Sequence, residues 1–288
     1  MEGSSIKMTA TLLNGKELAE EIKAKIKEKI AALATKPGLA VVLVGDDVSS
    51  QIYIKNKQKA CEEVGINSVK YHLPETTSEA ALLELLNKLN VDDKIHGILV
   101  QLPLPSSINK NKVLDAILPE KDVDGIGGRM WKDVIDGNER CAPCTPKGIV
   151  KLLEKYNVPI AGKQVCIINR SNIVGKPLLL MLLNRDATVT VCHSKTQELH
   201  KHILEADILI SAVGRPHFIT ASMVKEGVVV VDVGISRVNG KIVGDVDFEG
   251  VKEKASYITP MPGGVGPMTV AILLENTYEA AKAREIKS

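Results

Sequence analysis

The sequence predicts an α/β protein of two domains, each built on a parallel sheet. Three observations support that class. Apolar strand-like runs alternate with amphipathic helical stretches along nearly the whole chain, at the spacing of parallel βα units. At 288 residues the chain is long enough for two domains. Near its middle, an apolar run ends in a polar turn and then Gly175-Lys176-Pro177, the strand–turn–helix order that aims free helix N–H groups at an anion.

The elements follow in order. Residues 16–33 carry Leu18, Ile22, Ile26, Ile30 and Leu33 on one stripe with charges between, an amphipathic helix. Residues 39–44 read as a buried strand ending at Gly45, 50–64 as a helix, 68–73 as an alternating strand and 78–89 as a helix. A buried strand at 95–102 runs into Pro103-Leu104-Pro105, and a short helix covers 109–118. The loop 119–146 is rich in Gly and Asp, and Thr145-Pro146 supplies an N-cap and a first-turn proline for a helix over 147–156. A second alternating run has strands at 164–168, 188–192, 207–212 and 228–233, with helices at 177–183, 198–205 and 221–225. One more short strand at 257–259 and a final helix at 269–284 close the chain, and the first nine residues read as frayed.

Composition excludes several classes. Hydrophobic content of 44% with 25% charged residues is that of an ordinary globular protein, and a net charge of +2 gives no reason to expect nucleic acid or a membrane as partner. No apolar run approaches the roughly 20 residues of a membrane span, and the start lacks a signal-peptide pattern. Five cysteines, an odd number in a long chain, argue against a disulfide framework and fit a reducing cytoplasm. Cys141-Ala142-Pro143-Cys144 invites a redox or zinc reading, but no second pair completes it, so no metal is expected.

The chemistry-bearing residues form two groups. In the second half, Asn169, Arg170, Ser171, Ile173 and Gly175 make the turn. Only Gly175 keeps register with a Gly-x-Gly-x-x-Gly fingerprint, so a plain α/β crossover would look much the same. Asn169 is suited to a left-handed turn position. The next strand ends in His193-Ser194-Lys195-Thr196, where an NAD enzyme usually places a carboxylate; with Arg170, this basic pair of loops points to the 2′-phosphate of NADP. Gly214, Gly234 and Ile235 end two further strands, either to admit a cofactor or to pack tightly.

In the first half, Tyr53 and Lys57 are four apart on one helical face, while Lys55 and Lys59 fall on neighbouring faces. Such a pair alone is usually a surface contact, yet a desolvated lysine can serve as an acid or base. Gln101 ends a buried strand, as a ligand-binding group or a satisfied strand-end amide. Asp122-Val123-Asp124-Gly125 can be a turn, a weak metal site or a hydrogen-bonding pair for a heterocycle.

These segments together resemble the bifunctional methylenetetrahydrofolate dehydrogenase/methenyltetrahydrofolate cyclohydrolases. The motifs are Val44-Gly45-Asp46 with Ser50-x-x-Tyr53-x-x-x-Lys57, Gln101-Leu-Pro-Leu-Pro105, Pro119-Glu-Lys-Asp-Val-Asp-Gly125 and Pro143-Cys-Thr-Pro-x-Gly148. Arg170-Ser-Asn-Ile-Val-Gly-Lys-Pro177, Cys192-His-Ser-Lys-Thr196, Asp232-Val-Gly-Ile235 and Pro260-Met-Pro-Gly-Gly-Val-Gly-Pro-Met-Thr269 complete the set, which covers residues 12–281.

The resemblance implies a folate-binding catalytic domain, residues 1–145 with 270–288, and a Rossmann-like NADP-binding domain, 146–269, with the active-site cleft between them. It implies NADP-dependent oxidation of 5,10-methylenetetrahydrofolate, then hydrolysis of the methenyl product to 10-formyltetrahydrofolate. Lys57 matches the catalytic lysine, Tyr53 would position the folate, Gln101 would orient the lysine, and Asp124 would hydrogen-bond the pterin. Leu102, Pro262, Gly263 and Gly264 join them on the substrate side. Arg170 and Ser194 match the cofactor-phosphate contacts, and a homodimer through the cofactor domains is implied as well.

Two departures stand out: Asn169 replaces the usual glycine, and Ile126-Gly-Gly-Arg-Met-Trp-Lys132 replaces an Asn-x-Gly pattern after Gly125. Trp131 in that loop reads as a structural anchor more than a substrate wall. The competing functional readings are a monofunctional NAD-linked dehydrogenase of the same family and a non-catalytic NADP- or folate-binding sensor.

Overall fold

A computed structural model describes residues 9–140 and 142–286. The expected fraying of the first residues falls mostly, and Cys141 of the Cys-x-x-Cys pair wholly, outside the described residues. In chain order the elements begin with β1 (Thr11–Leu12), α1 (Gly15–Ala31), β2 (Gly38–Val44), α2 (Val48–Val64), β3 (Asn67–Leu73), α3 (Glu79–Val91) and β4 (Gly97–Val100). Then come α4 (Lys110–Asp115), α5 (Met130–Ile135), α6 (Cys144–Lys155), β5 (Gln164–Ile168), α7 (Gly175–Leu183), β6 (Thr188–Cys192) and α8 (Leu199–Glu205). The chain ends with β7 (Ile208–Ser211), β8 (Val229–Asp232), β9 (Ser236–Val238), β10 (Lys241–Val243), α9 (Phe248–Val251), β11 (Tyr257–Ile258) and α10 (Val265–Glu285).

The chain divides into two compact units. The N-terminal unit comprises Ala19–Cys144 with the residues from Val270 on, and the C-terminal unit comprises Thr145–Thr269 with the residues up to Leu18. Residues 9–18, placed by the sequence with the first domain, therefore group with the second. The cause is β1, which pairs in parallel with β11 through Thr11–Tyr257 and Leu12–Ile258. A two-residue strand carries no periodicity of its own, so its partner decides where it goes.

In the N-terminal unit three parallel strands lie in the order β3-β2-β4. All seven residues of β2 are buried, as expected of a strand covered on both faces. Val42, Val44, Ile98 and Val100 pack against Leu82, Leu86 and Leu89 of α3. Strands β3 and β4 flank β2 on opposite sides, so the chain reverses its winding direction at the carboxyl ends of β2 and β4, where open α/β sheets bind ligands.

In the C-terminal unit six parallel strands run β1-β11-β8-β7-β5-β6. From β5 the chain steps to β6 on one side and to β7 on the other, which sets a second switch point at the carboxyl end of β5. Strands β7 and β8 are buried throughout, and Leu209 and Val230 join Ile168, Ile203, Ile219 and Val251 in one core.

Several local outcomes differ from the sequence reading, among them the short helices α5, inside the expected loop 119–146, and α9. Helices α6 and α10 start earlier than expected, with Pro146 and Pro267 as their third residues. An N–H in the first turn has no partner within the helix, so proline there costs nothing. Thr145 is thus inside α6 rather than capping it, and its hydroxyl pairs with that of Thr269 at 3.2 Å. The expected helix at 221–225 is a single 3-10 turn, Ala221–Met223. An antiparallel hairpin of β9 and β10 was not foreseen; Asn239 and Gly240 form its turn, both with positive φ (51° and 78°), the requirement of a tight two-residue hairpin.

Candidate active site

Helix α2 delivers Tyr53 and Lys57. Asp47 caps it, its carboxylate accepting the Ser50 N–H at 2.7 Å, and Gly65 stops it in the left-handed region at φ 88°. Ile54, Ala60, Cys61 and Val64 bury one face. Tyr53 and Lys57 share another, Tyr53 exposed and Lys57 half-buried, while Lys55 and Lys59 are exposed. Gln101 follows β4 directly, and its N–H continues the ladder to the Val42 carbonyl at 2.8 Å. The Lys57 Nζ donates to Gln101 Oε1 at 3.1 Å, and Gln101 Nε2 donates to the Leu102 carbonyl at 2.8 Å. The glutamine amide is thereby locked in one orientation, and it fixes the direction of the amine at the first switch point.

Asp124 reaches this unit's sheet through the loop after Lys121, held alongside β4 by an Ile98–Asp122 bridge. Asp122, buried and separate from the expected site set, organises that loop. Its Oδ1 accepts the Gly125 and Ile126 N–H groups at 2.9 and 3.4 Å, and its Oδ2 accepts that of Gly127 at 2.7 Å. Burial pushes the Asp122 carboxyl up to about 6. A Cβ on Gly127 would lie 2.9 Å from Asp122 Oδ2, so the Gly-Gly of the altered loop is the form that this carboxylate accepts. Trp131 follows on α5, half-buried. Leu102 is half-buried beside Gln101. Pro262, Gly263 and Gly264, expected on the substrate side, belong to the C-terminal unit. There the Gly263 carbonyl accepts the Lys16 N–H at 2.8 Å, and a Cβ on Gly15 would lie 1.9 Å from the Gly264 carbonyl oxygen.

The C-terminal unit brings its candidates to the carboxyl edge of its sheet. Asn169 to Gly175 follow β5 at the switch point, His193 and Ser194 follow β6, Gly214 follows β7, and Gly234 and Ile235 follow β8. Arg170, Ser194 and Lys195 are exposed. The Lys195 N–H donates to His193 Nδ1 at 3.1 Å and the His193 N–H to Thr196 Oγ1 at 2.8 Å, which ties the basic loop into a turn. Ile173 and Ile235 expose 40% and 47% of their surface, apolar flanks of the kind a planar heterocycle covers. Gly214 has φ +70° with open space around it, so conformation alone demands glycine there.

Two expectations about the turn are corrected. Asn169 is not left-handed; it is absent from the positive-φ residues. Its carboxamide does the work instead: Oδ1 accepts the N–H groups of Ser171 at 2.8 Å and Gly175 at 3.1 Å, and Nδ2 donates to the Ala212 carbonyl at 2.6 Å. For the same reason α7 does not aim a free N-terminus at an anion. The Gly175 N–H is taken by Asn169, the Lys176 N–H by the Ser171 carbonyl at 3.0 Å, and Pro177 has none. The cation that this turn itself presents is the exposed Arg170.

Cys144 is buried, its thiol directed at the Val123 carbonyl at 3.5 Å. Among the described residues no group of three or more His, Cys, Asp or Glu is placed to hold a metal ion. The residues that sequence reasoning missed are Asp232 and Asp245, buried at the ends of β8 and after β10. Their signal was an aspartate within two residues of a glycine, in Asp232-Val-Gly234 and Gly244-Asp245, since a buried carboxylate needs close neighbours without side chains.

Two parallel sheets, one with a Lys–Gln pair and one with a basic, glycine-turned edge at its switch point, define a nucleotide-cofactor enzyme of the α/β class. Residues 13–124 match the tetrahydrofolate dehydrogenase/cyclohydrolase catalytic domain, and residues 143–285 match the NAD(P)-binding domain of the same family. The bifunctional protein FolD of Moorella thermoacetica is 55% identical over 96% of this chain and 100% of its own. The crystal structure of the bifunctional FolD enzyme of Campylobacter jejuni superposes with a TM-score of 0.94 at 53% identity, covering 96% of this chain and 99% of that one. The Trypanosoma brucei methylenetetrahydrofolate dehydrogenase-cyclohydrolase, solved with NADP cofactor and inhibitor, gives 0.92 at 36% identity over 98% of this chain and 100% of its own. The chain belongs to the tetrahydrofolate dehydrogenase/cyclohydrolase family.

Proposed function

We propose that this protein oxidises 5,10-methylenetetrahydrofolate with NADP and hydrolyses the resulting 5,10-methenyltetrahydrofolate to 10-formyltetrahydrofolate. The observation that carries the reading is the 3.1 Å bond from Lys57 Nζ to Gln101 Oε1 at the first switch point. NADP supplies the hydride acceptor for the first step, which asks of the protein only alignment and exclusion of water. Arg170 and Ser194 hold its 2′-phosphate, a task for a guanidinium and a hydroxyl where a carboxylate would repel.

The second step needs proton handling. Water adds to the cationic methenyl carbon and loses a proton; the carbon–N5 bond then breaks as N5 gains one, leaving the formyl group on N10. In this reading Lys57 takes the water's proton, its amine steered by Gln101. Tyr53, on the same helical face, positions the folate, and Asp124 hydrogen-bonds the pterin from the loop that Asp122 holds.

No helix among the described residues is long and apolar enough to cross a membrane. The free thiols of Cys61, Cys166 and Cys192 fit a reducing compartment, and we place the protein in the cytoplasm. Among the described residues β6 pairs with β5 alone, and this open sheet edge supports a homodimer formed through the C-terminal units. Sedimentation velocity tests that state, and a single species of one chain mass would reject it.

One coupled assay tests the reading. Methylenetetrahydrofolate with NADP or NAD is followed by reduced-nicotinamide and methenyl absorbance together. Faster reduction of NADP with transient methenyl supports both activities; faster reduction of NAD with persistent methenyl points to a monofunctional dehydrogenase, and no turnover to a binding protein.

A further inference from the structure

We infer that Asn169 and Asp245 form one positioning relay that sets the geometry of the cofactor edge; it rests on the assignment of that edge to NADP. Asp245 is wholly buried. Its Oδ2 accepts the Ser211 hydroxyl at 2.9 Å and the Val213 N–H at 2.7 Å, and its Oδ1 accepts the Arg215 N–H at 2.8 Å. The loop after β7, with Gly214 at its centre, is thus wrapped around one carboxylate.

Behind it stands Asp232, whose Oδ1 accepts the N–H groups of Gly234 at 2.9 Å and of Asp245 itself at 3.0 Å, and whose Oδ2 accepts that of Val246 at 2.9 Å. The loop after β8 is held by the same cluster. In a trans peptide the carbonyl points opposite the N–H. With the Val213 N–H turned to Asp245, the Ala212 carbonyl faces the other way, and there it receives Asn169 Nδ2 at 2.6 Å. The other end of the same carboxamide holds the Ser171 and Gly175 N–H groups.

Hydrogen bonds, joined by the Asp245 backbone and the Ala212–Val213 peptide, therefore connect the β8 loop through two carboxylates and one carboxamide to the turn that carries Arg170. Two buried aspartates are a costly way merely to close loops. The loops they fix are those that present Gly214, Ile235 and Arg170 to solvent at the ligand-binding edge, with Gly234 buried beneath them.

The variants are Asn169→Ala, Asn169→Asp, Asp245→Asn and the double variant Asn169→Ala/Asp245→Asn, with Ser211→Ala as a milder break should Asp245→Asn fail to fold. NADP binding to the wild type is first measured by fluorescence titration; if it is absent, the cofactor assignment has failed rather than the relay. With binding established, Asn169→Ala raises the KM for NADP about 10-fold or more while kcat at saturating NADP changes little. Asn169→Asp keeps the acceptor for Ser171 and Gly175 but sets an oxygen against the Ala212 carbonyl, so the relay requires it to be as impaired as Asn169→Ala. The double variant should be no worse than the more damaged single one. Wild-type-like affinity in Asn169→Asp, or single effects that multiply in the double variant, overturns the relay. So does a parallel fall in kcat, folate affinity and Tm, which marks a purely structural role.

Discussion

At the scale of single residues, the Lys57–Gln101 pair separates the two reactions. Lys57→Met removes the proton acceptor and should lower the hydrolysis of added methenyltetrahydrofolate by about 100-fold or more while NADP binding holds. Full hydrolysis by that variant would mean that another group handles the proton. Gln101→Leu keeps the lysine but frees its amine, so a smaller loss of hydrolysis is expected, read in the same assay. On the cofactor side, Arg170→Ala should raise the KM for NADP about 10-fold or more with little change for NAD, because only the first carries the extra phosphate. Equal loss with both would place Arg170 elsewhere. The shared face of Tyr53 and Lys57 was legible in the sequence from a period of 3.6, but the role given to Lys57 came from the motif resemblance, since such a pair alone reads as a surface contact. Asn169 was legible as a position but not as a device. The sequence suggested a backbone conformation, whereas the structure employs the side chain, and only the placement of Ala212, 43 residues away, reveals it.

At the scale of elements, loop 122–128 shows how a buried carboxylate dictates its neighbours. Gly127→Ala would press a methyl group against Asp122 Oδ2 and against the Leu114 carbonyl at 3.2 Å. A destabilisation of roughly 1–3 kcal/mol is expected, together with a raised KM for folate, since Asp124 rides on the same loop. Gly128→Ala meets only the exposed Asp115 and should cost less, so thermal unfolding of the two variants side by side gives the comparison. Trp131 reports on the same stretch: a folate analogue should quench its fluorescence if this loop borders the substrate, and an unchanged spectrum would place it apart. Strands and helices with strong patterns, such as β2 and α1, were readable because burial repeats along them. Strands β9 and β10 were not, since Ser236-Arg237-Val238 is too short to show alternation; the Asn239-Gly240 step was the readable signal.

At the scale of the whole molecule, two buried carboxyls shape the pH response. Burial pushes both Asp122 and Asp232 up to about 6, from an ordinary value of 3.8. Each binds a proton more readily in the fold than in the unfolded chain between about pH 4 and 6. Their contribution to stability therefore falls as pH rises through that window and is flat above it. The stability advantage of the wild type over Asp122→Asn should shrink by roughly 2–3 kcal/mol from pH 4 to 6.5, measured by urea unfolding. An advantage that grows instead would show that the peptide N–H groups outweigh burial. The two-sheet plan was legible because strand and helix patterns alternate so regularly, but the allegiance of residues 9–18 was not, because β1 finds its partner near the other end of the chain.

The Gly234 and Gly244 positions carry a consequence for how this protein can change over time. A Cβ at Gly234 would stand 2.1 Å from Asp245 Oδ1, and one at Gly244 would stand 1.9 Å from Asp232 Oδ2. Neither carboxylate can swing aside, since each is pinned by three hydrogen bonds. Any other residue at either glycine is tolerable only once the facing aspartate has shrunk, and a shrunken aspartate strands several N–H groups first. In a saturation library these four positions should survive selection as a linked block, with replacements recovered in pairs or not at all.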